Sequence, residues 1–186
     1  GIVPMNQQQI SLLTESIYDA AVDPAGWSEA MTLLKQGFRT GAETFYFLDY
    51  KKGSMKPIHI DGISPYYFDC FEDRFFTDDN PCIHAEPLHR AGVVRTDQKL
   101  VEFFRDPQIL RRSQYYNDWM RPQNLEHTMG TTVLAESGIV ANLTLLRAAD
   151  FGPLTADELE GFAVTCRHLR RAIRVAMRLE TVAAQG

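Results

Sequence analysis

The chain has 186 residues, 45% of them hydrophobic, enough to bury the core of one ordinary domain without disulfides or a structural metal. Cys70, Cys82 and Cys166 are odd in number and far apart, with no CxxC pair, which argues against a disulfide framework and for a reducing compartment, the cytoplasm. No apolar run approaches the roughly 20 residues of a membrane helix, and the amino terminus lacks the charged and apolar segments of a signal peptide.

The formal charge of −5 is unevenly spread, because Arg167, Arg170, Arg171, Arg174 and Arg178 gather near the end and leave −10 on the rest. A body of that sign repels phosphate, so nucleic-acid binding by the body is disfavoured. Gly1-Ile2-Val3-Pro4 precede Met5, where a helical pattern begins, and read as an expression scar. One domain is expected over 5–186, with 155–186 as its carboxy-terminal signalling and dimerisation helix.

Ile10, Leu13, Ile17 and Ala20 or Ala21 recur at helical spacing and predict a first helix. Asp23 suits an N-cap and Pro24 a first helical position, and Trp27, Ala30, Leu34 and Phe38 form the apolar face of a second helix that Gly41 is expected to close. Residues 42–50 are rich in aromatics and read as a strand, turned at Lys52-Gly53-Ser54 into another that ends near Ile60. Ser64-Pro65 opens a short helix carrying Phe68, Phe71 and Phe75, broken by Asp78-Asp79-Asn80-Pro81.

The stretch from Pro81 to Asp97 has little pattern. Asp106-Pro107 predicts another helix running through Leu110, Tyr115 and Trp119 until Pro122 stops it. Residues 128–135 and 139–147, joined at Glu136-Ser137-Gly138, predict a hairpin. Ile139, Ala141, Leu143 and Leu145 take one side of it, and Val140, Asn142, Thr144 and Leu146 the other.

Thr155 and Glu158 have capping-box spacing, and a helix without proline can continue to about Ala184. Leu159, Phe162, Cys166, Leu169 and Ile173 repeat at alternating three and four, a seam expected either to form a homodimer or to pack on the first helices.

This order of elements predicts an α+β fold, an antiparallel sheet with helices on both faces and a long carboxy-terminal helix. Four segments carry a resemblance: Ser16 to Pro24 followed by Trp27; Tyr115-Tyr116-Asn117-Asp118-Trp119-Met120-Arg121-Pro122; Leu143 to Arg147; and Arg167 to Ala172. Together, in this order, they resemble the amino-terminal PAS/GAF-like sensory half of LuxR-type helix-turn-helix transcription regulators. The resemblance implies a cytoplasmic homodimer that binds a small molecule, and it implies a DNA-binding domain after residue 186, through which alone DNA would be bound. A narrower group, the acyl-homoserine-lactone receptors, places an Asp-Pro step and a later Trp around the lactone. Here Asn80-Pro81 stands instead and no Trp follows in the 90s, so the lactone is not carried over.

A pocket between sheet and middle helices is expected to use Tyr46, Tyr66, Phe75, Tyr115, Trp119, His127, Asn142 and Thr144, because small-molecule sites are lined by aromatics with a few placed polar groups. Core packing is the competing role for the aromatics, and a solvated sheet face for Asn142 and Thr144. Cys82, His84 and His89 match no standard zinc spacing, so no metal and no cofactor is expected. No GxSxG, HExxH, phosphate-binding glycine loop or GxGxxG is present, and no catalytic role is assigned. A ligand-sensing domain is the favoured function, a ligand-free dimerisation module the second and a small enzyme the third.

Overall fold

The computed structural model describes residues 5–71 and 80–185, the side chain of Glu86 apart. Phe75 and the helix stop at Asp78-Asp79 lie outside the described residues, as do residues 1–4. Helix α1 spans Gln7–Val22 and begins with a reciprocal cap, the Gln9 amide donating to Asn6 Oδ1 at 2.8 Å and the Asn6 amide to Gln9 Oε1 at 2.9 Å. Asp23 then caps a 3-10 turn at Pro24–Gly26 that leads into α2, Trp27–Phe38. Arg39, at φ 52, takes the left-handed position that ends α2, two residues before the expected Gly41.

Strands β1 (Ala42–Asp49) and β2 (Ser54–Asp61) form the first hairpin, and α3 (Pro65–Cys70) follows, capped by Ser64. The poorly patterned stretch holds a 3-10 turn at Glu86–His89 and a three-residue strand β3, Val94–Thr96, which runs into α4, Asp97–Phe104. Strands β4 (His127–Glu136) and β5 (Ile139–Arg147) form the second hairpin, and α5 covers Ala156–Gln185. Its turn residues, Ser137 at φ 54 and Gly138 at φ 80, both take positive φ, the conformation that matches the twist of a two-residue hairpin loop.

The sheet order is β2-β1-β5-β4-β3, every pair antiparallel. One face is covered by α1, α2 and α5 over a core that includes Ile17, Leu34, Phe45, Leu143 and Phe162. On the other face Phe71, Leu110, Tyr115, Trp119 and Leu146 form a second, smaller cluster. A bulge between Thr132 and Leu134 sends Val133 and Leu134 both into the helix-side core.

One expectation is corrected. The helix from Asp106 does not form as one element, because the Asp106 carboxylate accepts from the Gln108 amide at 2.9 Å and residues 107–113 close three-residue turns, Ser113 N–H to the Leu110 carbonyl at 3.0 Å among them. The helical part begins at Gln114, is wound as a π-helix over Tyr115–Met120 and runs on through Pro122 as a 3-10 turn, Arg121–Gln123. The seam on α5 takes the second of its two expected roles, packing within the chain. Phe162, Leu169 and Ile173 are buried and Leu159 packs against the same core, so these residues serve intramolecular packing, with Cys166, instead of an outer dimer face. An apolar stripe already covered by α1 and β4 cannot also cover a second chain.

Candidate functional site

A cavity of about 360 Å³ lies on the sheet face turned away from α1, α2 and α5, within the size range of small-molecule sites. Strand alternation supplies its floor, because Thr44 and Tyr46 of β1, Thr128 and Thr132 of β4, and Asn142 and Thr144 of β5 all point to this side. Phe71, Leu100, Tyr115 and Trp119 add apolar wall. In the π-helix, Tyr115 and Trp119 sit nearly one above the other, their rings stacked at 5.3 Å and 14°. The Trp119 Nε1–H donates to the Tyr67 carbonyl at 2.6 Å, which fixes the indole against α3.

At the floor, β3 places the side chain of Arg95, only 9% exposed, beside Thr132 and Asn142. Its Nη1 donates to Thr132 Oγ1 at 3.1 Å and to the Leu88 carbonyl at 3.3 Å, and its Nη2 to Asn142 Oδ1 at 3.4 Å. Thr132 Oγ1 donates in turn to Asn142 Oδ1 at 3.0 Å. Burial pulls the Arg95 pKa down while Cys82 and Tyr46 act the other way, and a guanidinium starts high enough to stay charged at neutral pH.

Gly130 lies beside this cation. It pairs with Arg95 on one side and Thr144 on the other. A Cβ there would lie 3.1 Å from the Leu143 carbonyl and Thr144 Oγ1, and 3.6 Å from Arg95 Nη2. A side chain at this point would crowd β5 at Leu143 and Thr144, while its distance from the guanidinium is that of ordinary contact.

Tyr46 is buried and hydrogen-bonded to Asn142, and burial pushes its hydroxyl up to about 12 although Arg95 pulls the other way. Burial likewise raises the Tyr115 hydroxyl well above its ordinary value. Cys82, on the cavity wall, is pushed up to about 11 by burial against the pull of Arg95, so it stays a neutral thiol and not a thiolate nucleophile. Among the described residues no three His, Cys, Asp or Glu side chains gather as metal ligands would.

Of the residues singled out in the sequence, Tyr46, Tyr115, Trp119, Asn142 and Thr144 come together on this cavity. Two do not. Tyr66 is 68% exposed, packs edge-on against Tyr67 at 5.1 Å, and lies outside the lining. His127 is buried but engaged elsewhere, its Nδ1 3.0 Å from Asp97 Oδ2, which ties β4 to the start of α4. Phe75 lies outside the described residues.

Sequence reasoning missed Arg95, Thr132 and Gly130. A three-residue strand is too short to show alternation, but an isolated glycine in the β4 pattern was a readable sign of close approach.

No protein-family model matches the chain, and no curated protein matches it by sequence. Solved structures do match it in fold. The ligand-binding domain of VqsR from Pseudomonas aeruginosa superposes with a TM-score of 0.66 at 12% identity, covering 90% of this chain and 96% of that one. SdiA from Escherichia coli gives 0.62 at 12% identity over 90% of this chain and 67% of its own, and SdiA has also been solved in complex with octanoyl-rac-glycerol. The GAF domain of a phosphoenolpyruvate-protein phosphotransferase from Coxiella burnetii gives 0.61 at 9% identity, over 95% of this chain and 99% of that one. Five antiparallel strands, helices on both faces and a long last helix thus give this chain the GAF/PAS-like fold of the ligand-binding sensory domains of LuxR-type regulators.

Proposed function

We propose that the chain is the ligand-sensing domain of a transcription regulator and that its ligand occupies the cavity between the sheet and the middle segment. The carrying observation is the cavity itself, an apolar wall of Phe71, Leu100, Tyr115 and Trp119 over a polar floor of Tyr46, Arg95, Thr132 and Asn142. This is the composition of a small-molecule site, in which apolar contact supplies affinity and a few placed polar groups supply orientation. SdiA, which shares the fold, holds octanoyl-rac-glycerol, and a small molecule of comparable modest size suits the volume here.

A ligand acts only by binding one arrangement of the protein better than another. The floor and α5 are opposite sides of the same strand. Thr132 faces the cavity while the next residue, Val133, enters the helix-side core and accepts from Arg170 Nε at 3.1 Å. Arg174 extends the tie, its Nε donating to Glu136 Oε1 at 2.8 Å. A ligand that shifts the floor of β4 therefore shifts the track on which α5 lies. In this reading α5 passes that shift to a DNA-binding domain beyond this chain, in a cytoplasmic homodimer.

Native mass spectrometry of the purified protein, followed by extraction of any bound species, tests the proposal. A stoichiometric small molecule that raises the melting temperature when added back is the expected result. A protein that carries none, and whose melting temperature no member of a broad metabolite panel shifts, would favour a ligand-free interaction module.

A further inference from the structure

Among the described residues, Arg95 is a buried cation without an anion. Its guanidinium donates to a backbone carbonyl, a threonine hydroxyl and an asparagine oxygen, and no described carboxylate pairs with it. The contrast with the other deeply buried arginine is direct: Arg147 is held by the Glu158 carboxylate. Burying a charge unpaired is costly and is ordinarily avoided. Arg95 is also under-used as a donor. A guanidinium carries five N–H groups, three of which are engaged by the described residues, and the two that these residues leave equal the number a carboxylate takes from an arginine.

Resting on the cavity being the ligand site, we infer that Arg95 anchors an anionic ligand, a small monocarboxylate whose apolar or aromatic body lies against Tyr115 and Trp119. Charge sets the monoanion. Among the described lining residues Arg95 is the one permanent cation, and no Asp or Glu lines the cavity to offset it, so one negative charge neutralises the site where a phosphate monoester would bring a second without a partner. Asn142 and Thr132 hold the guanidinium at the floor. The apolar wall faces the rest of the ligand.

The test compares octanoate with octanamide, and hydrocinnamate with hydrocinnamamide, pairs alike in shape and differing in charge. Binding is measured by calorimetry and thermal shift on the wild-type protein, Arg95→Met and Arg95→Lys. We expect each carboxylate to bind the wild type about tenfold or more tighter than its amide, as a charge-assisted hydrogen bond warrants. The preference should vanish in Arg95→Met and survive in weakened form in Arg95→Lys, which keeps the charge and loses the fork.

Without ligand, Arg95→Met should melt no lower than wild type, because it removes an uncompensated charge. A large drop in its melting temperature, together with no carboxylate preference in wild type or Arg95→Lys, would make Arg95 a structural tie of β3 and overturn the inference. Amides that bind wild type as well as carboxylates would overturn it while leaving the cavity as a ligand site. A carboxylate preference that persists in Arg95→Met would remove Arg95 as the anchor. No binding of either form would overturn the inference and count against the cavity reading as well.

Discussion

The indole of Trp119 is 1% exposed, stacks on Tyr115 and holds the Tyr67 carbonyl, so it joins α3 to the π-helix while also bordering the cavity. Wall and core, posed as alternatives by the sequence, are one role here. Trp119→Ala should accordingly cost roughly 3 to 5 kcal/mol in urea denaturation followed by circular dichroism. Trp119→Phe keeps most of the packing and leaves one carbonyl without its donor, which should cost about 1 to 3 kcal/mol; equal losses for the two would show that the hydrogen bond, not the packing, dominates.

A second residue-scale feature is Glu43, fully buried beside His59 Nδ1, with Oε2 unpartnered. Burial raises its pKa to about 8, Lys35 pulling down and Asp61 pushing up. A neutral carboxyl donating its O–H to a neutral imidazole fits this contact, and burial holds the His59 pKa below its ordinary value, with Asp61 opposing. Between 4.5 and about 8 the folded chain keeps a Glu43 proton that the unfolded chain has released, so stability falls as pH rises through that window. His59 acts in the opposite sense, but only below its ordinary 6.5, where the unfolded chain binds the extra proton. From pH 6.5 to 8, melting temperature should therefore decline, with a slope up to about 1.4 kcal/mol per pH unit, and Glu43→Gln should flatten it. A wild-type profile flat over that range would mean Glu43 is ionised in the folded protein.

At the scale of elements, the start of α5 is fastened by more than its cap. Thr155 and Glu158 make the expected reciprocal bonds at 3.1 and 3.2 Å, and the same carboxylate receives Arg147 from the end of β5. Burial pushes the Glu158 pKa up, but the hydrogen bonds from Arg147 and Thr155 outweigh it and leave it lowered. Arg147 also donates to the Phe38 carbonyl at 2.5 Å, so one side chain ties together the ends of α2 and β5 and the start of α5. Arg147→Met should cost about 3 to 5 kcal/mol by chemical denaturation, because it leaves a buried carboxylate with only the longer Arg39 contact at 3.7 Å and the Thr155 amide, and adding Glu158→Gln should recover part of that loss. A double variant no more stable than the single one would show that the arginine's carbonyl bonds, not the ion pair, carry the effect.

These elements also mark how far the sequence could be read. The capping box, both hairpins and the sides taken by Ala141 to Leu146 follow from local rules, since turn chemistry and period-two alternation act over a few residues. The break at Asp106 is local, its carboxylate taking the Gln108 amide, but a helix start and a capped turn look alike in sequence; Trp119, in the π-wound Tyr115–Met120, is held by the Tyr67 carbonyl 52 positions away. Arg95 was invisible for the same reason, its partners Thr132 and Asn142 lying 37 and 47 residues on.

At the scale of the whole molecule, the two sheet faces divide the labour, helix packing on one and the cavity on the other. The seam of α5 belongs to the first, where Ile173 is 1% exposed. Ile173→Glu should therefore put a charge into the core and lower stability by several kcal/mol, while the folded fraction keeps the wild-type sedimentation coefficient. Had the seam been a dimer face, the same change would leave melting nearly intact and reduce the sedimenting mass. A pairing of two copies, as in the proposed regulator, would then fall to other residues, and the large apolar side chains that α5 exposes are Val164, Val175, Leu179 and Val182. Leu179→Glu, half-exposed and outside the core cluster, gives the converse expectation: unchanged melting of the isolated fold, with loss of any concentration-dependent sedimentation that the wild type displays. A variant that melts much lower would place the distal half of α5 inside the protomer's own packing and leave no apolar stripe on that helix for a second chain.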